Sequence, residues 1–350
     1  MASQKREAAV VGIYEHPLRK MVGGLTNLQI KAECATRALE DAGLKWSDVD
    51  AVYDAGDGAN GLAGLTLCEY FGIHPTIIET TMVGGSSYEV HASHAHRDIA
   101  RGKAKVALLT YGSTPLTGVA PAIPTGGAGE PVANMEDPFG ATLIATYALA
   151  ARRHMYQYGT TPAQLAEIAA TTRAHALRNP DAVRAMVDLG FKSLGEISAQ
   201  DVLDSRMIAD PLHLLECCML SDGGGAVVIA SPEVARDTRH KPAWIIGTGE
   251  ATQYRTNDGD ITVSAAAQSG PIAFGEAGLQ PNEVDIAMIY DSFTITVMMI
   301  LEDLGFCKKG EGGAYVSGGR LRWDRPGAPA LNTDGGGSRR ITLGCAGYSC

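Results

Sequence analysis

The feature that most restricts the fold of this chain is an internal repeat of its two ends. Residues 8–50 align with residues 243–285 at a constant offset of 235 without a gap, and 11 of the 43 aligned positions are identical. The alternative is two βα units that resemble each other by chance. A gap-free match of this length favours duplication of one ancestral unit.

Both copies show the alternation of strands and helices that is typical of an α/β fold. The apolar run AAVVGI matches AWIIGT, and the helical run ALEDAGL, with Gly at its C-cap, matches AFGEAGL. Further continuous apolar runs occur at Ala104–Tyr111 and Gly225–Ala230. Runs of this kind indicate strands that are buried on both faces.

The segment between the copies has a different composition. Residues 115–136 are rich in Gly, Pro and Ala and predict a loop, whereas residues 141–157 and 163–178 predict helices. The repeat and the composition together predict four segments: 1–114, the first part of an N-terminal half; 115–210, a loop and insertion region over the active site; 211–240, the end of the N-terminal half; and 241–350, a C-terminal half.

Composition excludes several classes of protein. The formal net charge of −10 argues against nucleic acid as the main partner, because phosphate binding requires clustered Lys and Arg. The seven Cys include no C-x-x-C pair, which argues against a disulfide framework and a structural zinc site. The N-terminal residues show no signal peptide, and no apolar run is long enough to span a membrane. We therefore expect a cytoplasmic protein with no bound metal.

Two local motifs have competing interpretations. Residues 56–61 fit G-x-G-x-x-G after a strand, but Asp57 argues against an anion at this loop, so a dinucleotide site is disfavoured. His91, His94 and Asp98 share one face of a predicted helix, as metal ligands can. Packing histidines on an amphipathic helix are the favoured interpretation.

The segment Val83–Glu89 leads through two glycines into a helix that is predicted to run to about Gly102. Ser86 and Glu89 have the spacing of a capping box. A nucleophile or oxyanion at Gly85 or Ser86 would lie beside unpaired N–H groups at the positive end of that helix. A simple helix cap is the alternative.

Four stretches resemble, in family order, motifs of the thiolase superfamily, in its sterol-carrier-type branch. They are TMVGGSSYEVHASHAHRDIARGKAKVALLTYGS, SRMIADPLHLLECCMLSDGGGAVVI, YDSF at 290–293 and LNTDGGG at 331–337. The resemblance covers nearly the whole chain. It implies the thiolase fold, with two βαβαβαββ halves in five layers (α-β-α-β-α), and it implies a homodimer.

Thiolase chemistry uses a Cys thiolate, a His that activates it and a second Cys that moves a proton. The resemblance places the nucleophile position at Gly85 or Ser86, where this chain has no Cys. Cys217 and Cys218 are candidates to reach the site from another strand, although small buried residues are the favoured interpretation of this pair. The resemblance implies that Tyr290 replaces the family residue at the oxyanion hole.

Three functions follow from this resemblance. The first is thiolase-type cleavage of a β-ketoacyl-CoA by CoA into two acyl-CoAs, with benzoylsuccinyl-CoA as one aromatic candidate. The second is a retro-aldolase that cleaves a β-hydroxyacyl-CoA with tyrosines, Tyr290 and Tyr254 in this chain, as acid and base. The third is a non-catalytic acyl-CoA-binding or lipid-binding subunit.

The resemblance also implies the ligands and partners of the chain. Coenzyme A is expected as a co-substrate and not as a bound cofactor. Gly335, Gly336 and Gly337, together with Asn332, are expected at the CoA pantetheine. A small partner subunit with an OB-fold and a zinc ribbon is expected, because members of this branch without an additional domain often have one.

The C-terminus departs from the family. After NTDGGG the chain reads SRRITLGCAGYSC, where the family has a loop with the active-site His. Codons for residues 338–350 read one base earlier can encode LSSNHPGMRGIFL, which resembles that loop. We therefore expect a truncated C-terminal half, caused by a frameshift in the gene or by a natural truncation.

Overall fold

The chain forms two compact units. The computed structural model describes residues 6–20, 24–55, 63–117, 142–253 and 259–336. The first unit comprises residues 1–120, 221–249 and 275–278. The second unit comprises residues 121–220, 250–274 and 279–350, so the segment 121–210 groups with the C-terminal residues.

The architecture is a mixture of strands and helices, as the sequence predicts for an α/β fold. The strands are β1 (Ala9–Glu15), β2 (Ala51–Asp54), β3 (Ile77–Glu79), β4 (Val106–Ser113), β5 (Met207–Ala209), β6 (Leu212–His213), β7 (Gly223–Ala230), β8 (Ala243–Trp244), β9 (Ile286–Ala287) and β10 (Ala330–Leu331). The helices are α1 (Asn27–Ala42), α2 (Ala63–Phe71), α3 (Ser87–Ala100), α4 (Leu143–Tyr158), α5 (Pro162–Ala176), α6 (Pro180–Asp188), α7 (Ala199–Leu203), α8 (Pro232–Ala235), α9 (Ala266–Ala277), α10 (Thr294–Asp303) and α11 (Gly312–Val316).

The first unit contains a mixed six-stranded sheet with the order β3-β2-β4-β7-β1-β8. β2 pairs in parallel with β3 and β4, whereas β7 is antiparallel to β4 and β1. β4 and β7 are the apolar runs that the sequence assigns to buried strands. Both lie inside the sheet, and most of their residues are buried.

Helix α1 packs against this sheet through small residues. Its buried face includes Cys34 and Ala38. At Gly12 on β1, a Cβ would lie only 2.3 Å from the carbonyl oxygen of Ala38, so only glycine allows this approach of helix and strand. Gly12 is also one of the identical positions in the repeat.

The predicted duplication is confirmed by the local structure of the two copies. The 3₁₀ turn Trp46–Asp48 recurs at Pro281–Glu283, at the same offset of 235. The helix before each turn ends at a glycine with positive φ, Gly43 or Gly278. The next strand of each copy then pairs in parallel with the strand that follows it, β2 with β3 and β9 with β10. Each half is therefore a strand–helix–strand unit.

The second unit is built mainly from helices around a main apolar core, with a smaller cluster at Ala176, Ala182 and Met186. α4 and α5 occupy the region where the sequence predicts two helices, and they pack with α10 through residues such as Ile168, Met298 and Leu301. Thr142 and Thr161 cap the first turns of α4 and α5 with their side chains. Asn179 does the same for α6, so Asn179-Pro180 begins a new helix as well as ending α5.

The described ranges hold neither a helix with the length and apolarity needed to cross a bilayer nor a group of three or more metal-ligating side chains.

Candidate active site

The turn between β3 and α3 differs from the predicted helix cap. Gly84–Ser86 form a 3₁₀ turn, and the α-helix begins at Ser87. The Ser87 hydroxyl accepts a hydrogen bond from the Val83 N–H at 3.0 Å and donates one to the Gly84 carbonyl oxygen at 2.7 Å. Ser86 has helical backbone angles and makes no capping hydrogen bond, so the predicted Ser86–Glu89 capping box is wrong.

Gly85 and Ser86 are half-buried in this turn, where the family nucleophile is expected. Neither carries a thiol. Cys34 and Cys68 of the same unit lie in its core, and burial raises the pKa of both thiols, that of Cys34 to about 12. The described part of the first unit therefore offers no thiolate at neutral pH.

The histidines of α3 form contacts with the sheet. His91 is buried 6.0 Å from the Tyr53 ring, and burial lowers its pKa. The Nδ1 of His94 lies 2.6 Å from a Glu79 carboxylate oxygen, and the Tyr53 hydroxyl donates to Asp98 at 2.9 Å. These groups fix α3 against β2 and β3, which agrees with packing histidines.

Several predictions concern residues outside the described ranges. They are the glycine motif at 56–61, Tyr254, Gly337 and the segment 338–350.

In the second unit, Asn332 fixes the backbone directly before Tyr290. Asn332 is fully buried, and its side-chain amide donates to the Ile289 carbonyl oxygen at 2.9 Å and accepts from the Ile289 N–H at 2.7 Å. Tyr290 is half-buried at the end of this clamped segment. Both polar groups of the Asn332 amide are thus used on the protein backbone, and the residue positions Tyr290.

Replacing Asn332 with Ala is expected to destabilise the protein by about 2–4 kcal/mol, because the two buried hydrogen bonds between its amide and the Ile289 backbone are lost. Asn332 also has a positive φ of 46°. Asn332→Gly should therefore be less destabilising than Asn332→Ala by about 1 kcal/mol. Urea unfolding measures both, with the exposed Asn282→Ala as control. Equal stability of Asn332→Ala and wild type would contradict the clamp.

The glycine loop after Asn332 packs closely against α5. A Cβ at Gly335 would lie 2.8 Å from Ala176, and one at Gly336 would lie 2.2 Å from the Asp291 carboxylate and 2.5 Å from Thr172. Both glycines also have positive φ. The loop therefore brings Gly336 against the residue that follows Tyr290.

His175 on α5 anchors the strand before this loop. Its Nε2 accepts from the Trp323 N–H at 3.0 Å, so its Nδ1 carries the proton and donates to the Leu331 carbonyl oxygen at 2.6 Å. Burial lowers the pKa of His175, which favours this neutral form. A single tautomer thus holds β10 against α5.

A cavity of about 460 Å³ lies beside these elements in the second unit. Its walls are mostly apolar and come from α5, the segment 189–197, the segment 214–219 and the start of α10. Asp291 lines it as well. The polar groups in its wall include Thr172, Arg173, Lys192, Ser193, Glu216, Cys217, Cys218, Asp291 and Thr294.

Cys217 and Cys218 run antiparallel to the YDSF element. Cys217 forms a β-bridge with Phe293, and the Cys218 N–H donates to the Ser292 carbonyl oxygen at 2.9 Å. Both cysteines are half-buried and line the cavity. The pair therefore contacts the YDSF element from another segment of the chain, through Ser292 and Phe293.

Glu216 is a carboxylate of the cavity that sequence reasoning missed. It accepts from the His213 N–H at 2.7 Å and from the Thr294 hydroxyl at 3.2 Å. Burial raises its pKa although these donors act in the opposite direction. Its neighbours in LLECC are apolar or cysteine, which is the local signal that could have identified a buried carboxylate.

Comparisons with known proteins give the relatives of this architecture. A family profile described as "Thiolase C-terminal domain-like" matches residues 247–349. The acetyl-CoA acetyltransferase of Methanothermobacter thermautotrophicus is 31% identical over 98% of this chain and 88% of its own length. The chain belongs to the thiolase superfamily.

Two further relatives of this thiolase-superfamily chain differ in their named reactions. The steroid side-chain-cleaving aldolase of Thermomonospora curvata is 32% identical over 94% of this chain and 85% of its own length. The benzoylsuccinyl-CoA thiolase subunit BbsB of Thauera aromatica is 33% identical over 81% of this chain and 73% of its own length.

The thiolase fold is confirmed by the solved structure of a monomeric SCP2-thiolase like protein from Mycobacterium smegmatis, which superposes with a TM-score of 0.67 at 20% identity, over 96% of this chain and 67% of that one. Another similar solved structure is the Ltp2-ChsH2(DUF35) aldolase. It superposes with a TM-score of 0.82 at 30% identity, over 95% of this chain and 85% of that one.

Proposed function

We propose that this thiolase-superfamily chain cleaves the Cα–Cβ bond of a β-hydroxyacyl-CoA in a retro-aldol reaction. The observation that carries the proposal is the Gly84–Ser87 turn, which has serine and glycine where a thiolase needs a thiolate. A serine hydroxyl is a far weaker nucleophile than a thiolate at neutral pH. Retro-aldol cleavage requires no acyl-enzyme and so no such nucleophile.

The reaction assigns simple tasks to the protein. A base removes the proton of the β-hydroxyl, the Cα–Cβ electron pair moves to Cα, and a ketone or aldehyde leaves. The thioester enolate that remains takes a proton at Cα. Hydrogen-bond donors at the thioester oxygen stabilise the enolate. Tyr290, which follows the Ile289 backbone that Asn332 holds, is our candidate acid or base.

Two relatives support this choice. One curated relative and one solved structure, each about a third identical to this chain, are named as aldolases. The family resemblance also supports tyrosine acid–base chemistry in branch members without the nucleophilic Cys.

Thiolysis of a β-ketoacyl-CoA by coenzyme A is our second candidate. The specific observation in its favour is that Cys217 and Cys218 line the cavity beside the YDSF element. The likeness to a benzoylsuccinyl-CoA thiolase subunit adds support and makes an aromatic β-ketoacyl-CoA the substrate to test first. In either reaction we propose that Gly335 and Gly336 lie along the CoA pantetheine.

We further propose two assemblies for this chain in the cytoplasm. A small partner with an OB-fold and a zinc ribbon is supported by the two-component name of the Ltp2-ChsH2(DUF35) aldolase. A homodimer is supported by β3, which is the edge strand of the first sheet and bears the exposed Ile78, with Met82 exposed just beyond it. Exposed apolar edge strands favour pairing with another chain.

Mass spectrometry of the products distinguishes the candidates. The full chain, with and without its partner, is incubated with a panel of β-hydroxyacyl-CoAs and β-ketoacyl-CoAs, each with and without free CoA. We expect one thioester and one ketone or aldehyde from a β-hydroxyacyl-CoA, with no need for free CoA. Two thioesters formed at the expense of free CoA would establish thiolysis instead. Tight binding without turnover would support a non-catalytic acyl-CoA-binding subunit.

A further inference from the structure

Arg173 lines the cavity of the second unit, and the described residues satisfy its guanidinium incompletely. The residue lies in the last turn of α5 and is only 4% exposed. Its one hydrogen bond in the described structure is long, 3.4 Å from Nη1 to the Ser193 carbonyl oxygen. Its Nε is buried without a hydrogen-bond partner among the described residues. A buried donor in this state costs free energy unless a ligand satisfies it.

The guanidinium also lies over an aromatic ring. Its central carbon is 5.0 Å from the centroid of the Phe191 ring, a cation–π contact that restricts where the group can move. Burial lowers the pKa of Arg173, but the side chain remains protonated at any physiological pH. A planar, oriented and charged fork of this kind matches a carboxylate.

The carboxylates of the cavity wall do not neutralise Arg173. Within the described residues no carboxylate oxygen lies within 4.0 Å of its guanidinium. Glu216 is held by His213 and Thr294, and Asp291 lies against the glycine loop at Gly336. Lys192 is a second cation in the wall, so an incoming anion meets two positive groups.

We propose that this cavity binds the acyl part of the substrate and that Arg173 pairs with a carboxylate on that acyl part. The substrate class is then the mono-CoA thioester of a dicarboxylic acid. The inference rests on the proposed acyl-CoA cleavage, and it adds a specificity-determining residue to it. The apolar lining accommodates the carbon skeleton, while the single buried cation selects its distal charge.

A phosphate of coenzyme A is the other anion that a guanidinium can bind. The cavity favours a carboxylate on the acyl group for two reasons. Its walls are mainly apolar, and it borders Asp291, the neighbour of Tyr290, at the proposed reaction centre. If Arg173 bound a phosphate of CoA, its replacement would weaken the binding of every CoA ligand equally. If it binds an acyl carboxylate, its replacement weakens only the ligands that carry one.

The test measures binding and does not require turnover. Calorimetry of the full chain compares dicarboxylic mono-CoA thioesters, from succinyl-CoA to pimelyl-CoA, with methyl-ended acyl-CoAs of the same chain length, and with free CoA. We expect wild type to prefer at least one dicarboxylic ligand over its methyl-ended counterpart. Arg173→Met should remove this preference, about 10- to 100-fold in Kd, without weakening the methyl-ended ligands or free CoA. Arg173→Lys should restore part of it.

Arg178→Met is the matched control, because Arg178 also lies over an aromatic ring, Trp323, but is on the surface outside the cavity. It should keep the wild-type preference. The proposal is overturned if wild type shows no preference or no binding, if Arg173→Met weakens all ligands and free CoA equally, or if Arg178→Met has the same effect. These ligands have neither a β-hydroxyl nor a β-keto group and are not cleaved in either proposed reaction. The binding result therefore tests the role of Arg173 even if the cleavage assay fails.

Discussion

Replacing Tyr290 with Phe is expected to lower kcat for β-hydroxyacyl-CoA cleavage by about 10²–10⁴-fold, the usual effect of losing a general acid or base. The ring remains, so the clamp between Asn332 and Ile289 should persist and the free energy of unfolding should change by less than about 1 kcal/mol. Steady-state kinetics with the substrate identified by mass spectrometry, together with urea unfolding, measure both quantities.

Tyr156→Phe is the control for this experiment. Tyr156 belongs to the same unit but is 82% exposed on α4, so its hydroxyl should not matter for turnover. If Tyr290→Phe and Tyr156→Phe both retain the wild-type kcat, Tyr290 is not the general acid or base.

Replacing Asp54 with Ala is expected to destabilise the protein by about 3–5 kcal/mol. The Lys31 ammonium lies 2.9 Å from the Asp54 carboxylate, and both side chains are buried in the first unit. Thr110 donates a further hydrogen bond to this carboxylate at 2.8 Å. Removing the carboxylate leaves the charge of Lys31 buried without a compensating charge, and this lowers the free energy of unfolding strongly. Replacing both members of a buried pair by apolar residues costs much less. Urea unfolding measures the loss.

Two further variants test that explanation. The double variant Lys31→Met with Asp54→Leu removes both charges and should regain most of the lost stability. Glu40→Ala breaks the exposed pair of Arg37 and Glu40, whose nitrogen and oxygen are 3.0 Å apart, and should change stability by less than about 0.5 kcal/mol. If the double variant is as unstable as Asp54→Ala alone, the cost lies in packing and not in the unpaired charge.

The sequence was sufficient for features that depend on local patterns. The apolar runs of β4 and β7 and the C-cap glycines Gly43 and Gly278 are read directly from residue order. The duplication was also predictable, because two copies of one strand–helix–strand unit keep the same glycine and turn positions. The resemblance to the thiolase superfamily rested on motif order and is confirmed by relatives that span most of the chain.

Features that depend on distant contacts were not predictable in this way. Ser86 has good capping spacing, but Ser87 instead bonds to Val83 and Gly84 across the turn. The partnership of Asn332 with Ile289 joins residues 43 positions apart. No sequence pattern indicated a role for Arg173. Its proposed role depends on the hydrogen-bond partners that its guanidinium lacks, and only the folded structure shows which groups surround a side chain.

The β-bridge between Cys217 and Phe293 has a consequence for how new enzymes of this type arise. It joins the wall of the cavity to the YDSF element that contains Tyr290, yet the two come from separate stretches of the gene. Residues in the stretch 189–197 form another part of that wall. Under the proposals made above, we expect exchange of this stretch between homologues to change which acyl groups are accepted and to leave Tyr290 in place. Library design for altered substrate range should begin in that stretch.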